Sequence, residues 1–133
     1  MSIERINPAE LGRPSGFTHA VRASGTFVFL AGQTALDQSG QVVGDTVTRQ
    51  FEQALENLLR ALAAAGGTPD ELASMTIFIT DIDDYRAHAG EIAAVWRRHV
   101  GTSYPAMAAV GVTRLWDREA MVELQAIAVL DPS

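Results

Sequence analysis

The sequence predicts an α+β fold: a mixed β-sheet with two helices on one face, in the order β-β-α-β-α-β-β. Three observations carry that expectation. Phe27-Val28-Phe29-Leu30-Ala31 and residues 122–130 are apolar, strand-like runs at opposite ends of the chain. Phe51, Leu55, Leu58, Leu59 and Leu62 recur at i, i+4, i+7, i+8 and i+11, the stripe of an amphipathic helix. Met75, Ile77 and Ile79 alternate with Thr76, Phe78 and Thr80, which is strand periodicity. The whole chain, residues 1–133, is expected to form a single domain burying roughly 68% of its unfolded surface.

The elements follow in order. Pro8, Gly12, Pro14 and Gly16 make residues 7–18 an irregular leader. A short strand over residues 19–22 meets a Ser24-Gly25 turn and pairs as a hairpin with the run at 27–31, which is expected to be buried on both faces. Asp37-Gln38-Ser39-Gly40 is turn chemistry. The first helix starts near Thr46 and stops at Gly66-Gly67, and Thr68-Pro69-Asp70-Glu71 has the pattern of a capping box. After the alternating strand, Asp81 or Asp83 caps a second long helix with Tyr85, Ala89, Ile92 and Trp96 inward, ending near Gly101. Residues 106–115 and 120–130 are two final strands joined across Trp116-Asp117-Arg118-Glu119 as a second hairpin.

Two helices on one face leave the other face of the sheet uncovered. Phe27, Phe29, Ile127 and Val129 then need a partner, so a homo-oligomer is expected. The formal net charge of −6 argues against nucleic acid as a partner, because displacing counterions from phosphates needs a basic face. The opening Met1-Ser2-Ile3-Glu4-Arg5-Ile6-Asn7-Pro8 has no signal-peptide pattern, and apolar runs such as 126–130 are far too short to span a membrane. The absence of cysteine excludes disulfide and thiolate chemistry and suits a cytoplasmic location.

Longer stretches carry a family likeness. Ser15-Gly16-Phe17-Thr18-His19-Ala20-Val21, Ala31-Gly32-Gln33, Gln53-Ala54-Leu55-Glu56-Asn57-Leu58, Phe78-Ile79-Thr80-Asp81, Tyr104-Pro105-Ala106 and residues 122–129 together resemble the RidA/YjgF family. The resemblance implies a chorismate-mutase-like fold, a homotrimer, and small-molecule clefts between subunits. It also implies hydrolysis of 2-imino acids or their enamines to 2-keto acids and ammonia, with no cofactor. In such relatives an arginine clamps the substrate carboxylate and a glutamate positions water, while a tyrosine and a serine line the cleft. By that resemblance the glutamate falls on Glu123, the arginine on Met107, the tyrosine on Phe17 and the serine on Ala31. An asparagine of the second helix falls on Ala89. The chain therefore resembles a subgroup lacking the deaminase arginine, with an apolar version of the cleft.

The residues themselves rank the candidates. Glu123 stands on a strand face with Met121, Gln125, Ile127 and Val129, where a carboxylate is costly unless it pairs or works on a ligand. It is the catalytic candidate; the plainer alternative is an ion pair across a subunit boundary. Phe17, His19, Ala31, Gly32, Met107 and Ala108 are the substrate-binding candidates, with backbone N–H groups at 106–108 able to hold a carboxylate more weakly than an arginine. His19 is either a proton carrier or a strand histidine bonded to backbone, and Met107 is either cleft lining or core filler. Arg114, seven residues beyond Met107, points to the opposite face of a regular strand. No metal is expected: His88 and His99 lie about 16 Å apart along a helix, and Asp81, Asp83 and Asp84 read as helix-start residues. The function implied is an imine or enamine hydrolase acting on something other than a simple 2-imino acid; the alternative is a non-catalytic trimeric binding module.

Overall fold

A computed structural model describes residues 3–131, so the outermost residues of the expected 1–133 domain, 1–2 and 132–133, lie outside the described part. The chain runs β1 (Ile3–Ile6), β2 (Ala20–Ala23), β3 (Thr26–Gln33), α1 (Val47–Ala64), β4 (Leu72–Ile79), α2 (Ile82–Ala87), α3 (Ala89–His99), β5 (Ala106–Gly111) and β6 (Val122–Leu130). It is the mixed α+β fold expected, and several connections differ.

Neither hairpin forms. β2 pairs antiparallel with β1, which has no apolar run to announce it, in a separate two-stranded ribbon. The main sheet has the order β3-β6-β4-β5, so β6 inserts between β3 and β4 and does not pair with β5. β6 is antiparallel to both neighbours, and β5 lies parallel to β4. Central placement suits β6, whose Val122, Leu124, Ala126 and Ala128 are all buried, whereas the alanine-rich β5 is mostly exposed and stands at the edge.

The first helix follows its sequence signals closely. Thr46 Oγ1 accepts the Arg49 N–H, and Phe51, Ala54, Leu55, Leu58 and Leu62 are fully buried against the sheet. At the far end Gly66 takes φ 90°, and the Gly67 N–H reaches back to the Leu62 carbonyl at 3.0 Å. The Thr68–Glu71 capping box is present, and Asp81 accepts the Asp84 N–H at 3.1 Å.

The expected second long helix is two helices. At His88 the ring Nδ1 meets the Asp84 carbonyl at 2.8 Å, the acceptor a continuing helix would give to the His88 N–H. That N–H turns to the Tyr85 carbonyl instead, at 3.1 Å, and α3 begins afresh with Ile92 N–H on the His88 carbonyl. α1 packs on β3, β6 and α3, so the helices share one side of the sheet and the core lies between.

The run 27–31 is not buried on both faces. Leu30 is buried on the helix side, while Phe27 and Phe29 are 56% and 74% exposed on the other. Of the four residues expected to need cover on that face, Ile127 is half-buried and Val129 already buried.

Candidate functional site

Two separate features collect the candidate residues. The first is an apolar cavity of about 340 Å³ between α2, α3 and the β4–β5 edge. Phe17, Met107 and Ala108 line it, together with Phe51, Ile77, Tyr85, Ile92, Trp96 and Tyr104. The leader reaches it because Thr18 bridges to β5. Its N–H bonds the Pro105 carbonyl at 3.0 Å, and its hydroxyl donates to the Tyr104 carbonyl at 2.6 Å. That pins Phe17 beside the start of β5. Trp96 and Tyr104 stack with centroids 5.2 Å apart, and the indole N–H donates to the Ser103 carbonyl at 3.1 Å.

The second feature is Glu123 above Gly32. β3 pairs regularly with β6 up to Leu30, then shifts register before Gln33, so Ala31 and Gly32 occupy a bulge. Glu123 leans into the space that a side chain on residue 32 would fill: a Cβ built there would lie 2.9 Å from the carboxyl carbon and nearer still to one oxygen. Only glycine leaves the carboxylate where it is. Among the described residues the Glu123 carboxylate has no hydrogen-bond or ion-pair partner, and the side chain is half-buried. Gly32→Ala is therefore expected to push Glu123 aside. Under the hydrolase reading proposed below, turnover should fall by about tenfold or more while the melting temperature stays near wild type. Steady-state rates beside a thermal melt check this, and full activity would show that the carboxylate position is immaterial.

Register decides how the two features relate. Phe78 lies opposite Glu123, whereas Ile77 lies opposite Leu124 on the helix side. Met75 lies opposite Met107, and Met75 shares the face of Ile77. Glu123 and Met107 therefore face opposite sides of the sheet. Ala108, opposite Thr76, is on the Glu123 side. One chain does not bring all the candidate residues onto a single ligand.

Residues 9–130 match the family described as Endoribonuclease L-PSP. The chain belongs to that family, the RidA/YjgF or Rid family. It is 34% identical over 126 residues to the mouse 2-iminobutanoate/2-iminopropanoate deaminase, covering 94% of this chain and 87% of the relative. Its fold is similar to that of YyfB from Yersinia pestis, a member of the conserved Rid family, at TM-score 0.87 and 32% identity, over 98% and 100% of the two chains. Escherichia coli TdcF, solved with bound serine, matches at TM-score 0.71 and 31% identity, over 90% and 92%.

The remaining candidates of this Rid chain have structural partners. His19 Nε2 lies 3.1 Å from the Gly12 carbonyl, its backbone N–H bonds Asn7, and Phe17 packs edge-on at 5.0 Å. It holds the leader in place. Arg114 lies beyond the end of β5, and its guanidinium donates to the carbonyls of Leu115 and Trp116, so it is spent on its own loop. Among the described residues, no helix is long and apolar enough to cross a membrane.

Two polar residues that position the site were not among the sequence candidates. The buried Gln50 donates to the carbonyls of Gly44 and Glu119 and accepts the Met121 N–H at 2.8 Å, which fixes the approach to β6 and hence Glu123. Asn57 donates to the carbonyls of Thr34 and Leu36, anchoring the segment just after Gly32. Both sit among apolar positions of α1, where a polar residue on the inward stripe was the available clue.

His99 is paired across helices rather than with His88. Its Nε2 lies 2.8 Å from Glu52 and 3.7 Å from Glu56, and ligand atoms of the three lie within 4.8 Å of one another. Arg98 also contacts Glu52, at 2.6 Å. Hydrogen bonds from His99 and then Arg98 hold the Glu52 carboxyl below its ordinary value. A carboxyl lowered on folding stabilises above its unfolded pKa and loses that contribution as pH falls through the folded value. Glu52→Gln is expected to cost less than ~1 kcal/mol near pH 7 because the pair is partly solvated. The gap to wild type should close below the ordinary pKa of 4.5, as followed by urea unfolding across that range. A gap that widened on acidification would contradict the sign.

Proposed function

We propose that the protein is a RidA-like hydrolase of imine or enamine-type small molecules other than simple 2-imino acids. The observation that carries this is the Glu123 carboxylate, without a partner among the described residues and set over a glycine that leaves it room. A carboxylate there contributes little to folding, and its chemistry suits holding and deprotonating a water. That water's oxygen bonds to the C=N carbon while the π pair moves to nitrogen. The proton held by Glu123 passes to the nitrogen. The carbinolamine hydroxyl then gives up its proton, relayed by Glu123 to the nitrogen. The oxygen pair forms the C=O bond as the C–N pair leaves with nitrogen, giving a carbonyl compound and ammonia.

Met107 carries the substrate preference. Where the resemblance places a carboxylate-clamping arginine, this chain has a thioether, and no charged side chain lines the cavity around it. A carboxylate entering that space would lose its hydration without gaining a cation. Since Glu123 and Met107 face opposite sides of the sheet, the site is completed between copies of the chain, as in the trimers the resemblance implies. Ribonuclease activity is not proposed, because a net charge of −6 supplies no basic face for the RNA backbone.

The test is paired: a neutral aromatic imine and a 2-imino acid of similar size, each generated in situ, with carbonyl formation and ammonia release followed against buffer. Faster decay of the neutral imine alone is the expected result. Preferential hydrolysis of the 2-imino acid would overturn the role given to Met107. The second reading, a binding module without chemistry, is favoured by the same apolar lining, and it takes over if neither imine decays faster than in buffer.

A further inference from the structure

We propose that the cavity lined by Met107 and Tyr85 binds a neutral molecule with a planar apolar body and one hydrogen-bond acceptor, and that the Tyr85 hydroxyl recognises that acceptor. The proposal deepens the hydrolase reading and rests on it only for where the reacting carbon lies; binding itself is independent of turnover.

The apolar body follows from the walls. Phe51, Ile77, Ile92 and Met107 are hydrophobic, and the nearly parallel Trp96–Tyr104 stack, inclined by 8°, adds a flat aromatic surface. A volume of about 340 Å³ lies at the small end of ligand sites, enough for a single ring with a short substituent. None of the lining residues is charged, so an ionic ligand would be desolvated without compensation.

The acceptor follows from Tyr85. It stands on α2, with its ring edge-on to Phe51 at 6.3 Å. Its hydroxyl has no hydrogen-bond partner among the described residues. Neither is that oxygen sealed off: among the described residues the one side-chain polar atom both sealed and unpartnered is Arg5 Nε. Tyr85 is half-buried and lines the cavity, which places an unpaired phenol at its wall. Phenylalanine would pack against Phe51 equally well, so the hydroxyl adds nothing the fold requires. An unpaired donor in apolar surroundings gains more from a ligand's acceptor than an exposed one does. Burial pushes the phenol up to about 12, so it stays a proton donor throughout the physiological range. Tyr104 and Ser15 also carry hydroxyls at this cavity, but Ser15 is exposed and the Tyr104 ring is committed to the stack.

Acetophenone and isopropylbenzene test this, sharing a ring and similar bulk with and without an acceptor. Calorimetric titration compares the wild type with Tyr85→Phe and with Ala93→Trp to fill the cavity. Tyr85→Phe is expected to weaken acetophenone by about 3- to 10-fold and isopropylbenzene by less than about 2-fold. Ala93→Trp should abolish binding of both, with circular dichroism confirming the fold. Equal acetophenone affinity in wild type and Tyr85→Phe overturns the proposal. So does failure of both probes to saturate the wild type, or binding that survives in a folded Ala93→Trp. Tyr85-dependent binding without imine turnover would sink the hydrolase reading alone. Turnover in a protein indifferent to Tyr85 would sink this inference alone.

Discussion

Glu123→Gln is expected to lower hydrolysis of a neutral imine by about 100-fold or more, the usual scale of a lost general base. Glutamine keeps the shape and loses the charge, so the space above Gly32 stays filled and the backbone has no reason to move. The same substitution should leave the melting temperature unchanged or raise it slightly. The carboxylate has no partner among the described residues and is only half-buried, so removing its charge breaks no bond. Activity falling while stability holds or rises is what a group kept for chemistry gives. An ion pair would give the reverse, with stability falling first. Initial rates and thermal melts on one preparation separate the two, and undiminished turnover would end Glu123's assignment as the base.

The second large effect concerns the open sheet face. Phe27 and Phe29 form an edge-to-face pair 6.2 Å apart, exposed by 56% and 74%, on the same side as Glu123. Fully burying one such ring is worth about 1.5–3 kcal/mol, and a multimer repeats the gain in every copy. Phe29→Asp replaces that gain with a carboxylate to be desolvated. The wild type is expected to sediment as an oligomer, three copies by the family resemblance, and Phe29→Asp as a folded monomer, since Phe29 lies outside the core. On the proposed reading turnover should be lost with association, because Glu123 and Met107 face opposite sides of one sheet and one chain does not bring them together. Analytical ultracentrifugation and rates at matched concentration decide it. A fully active monomer would show that one chain suffices.

Legibility in the sequence tracked how local each feature is. The stripe of α1, its start near Thr46, the Gly66 stop and the Thr68–Glu71 box are settled within a few residues, and each was readable. β1 was not, because Ile3-Glu4-Arg5-Ile6 is too short and polar for a period to emerge, and it exists through pairing with β2. The break at His88 was hidden because a histidine ring competing for one carbonyl leaves no mark on hydrophobic spacing. Both expected hairpins failed for a shared reason. Adjacency in sequence favours adjacency in space, but the strand with the most buried side chains takes the centre, and that strand is β6.

By itself the sequence determined the α+β class, the limits of the first helix, the family, and the short set of candidate residues. These depend on side-chain type and near-neighbour spacing, which a linear chain displays in full. Tertiary structure alone decided strand order, and through it which candidates share a face. A strand shifted by one residue turns each side chain to the opposite side, so pairing to β4 rather than spacing sets Glu123 apart from Met107. It also laid Glu123 over Gly32, some ninety positions earlier, and opened the cavity beside Tyr85, contacts that no local pattern encodes.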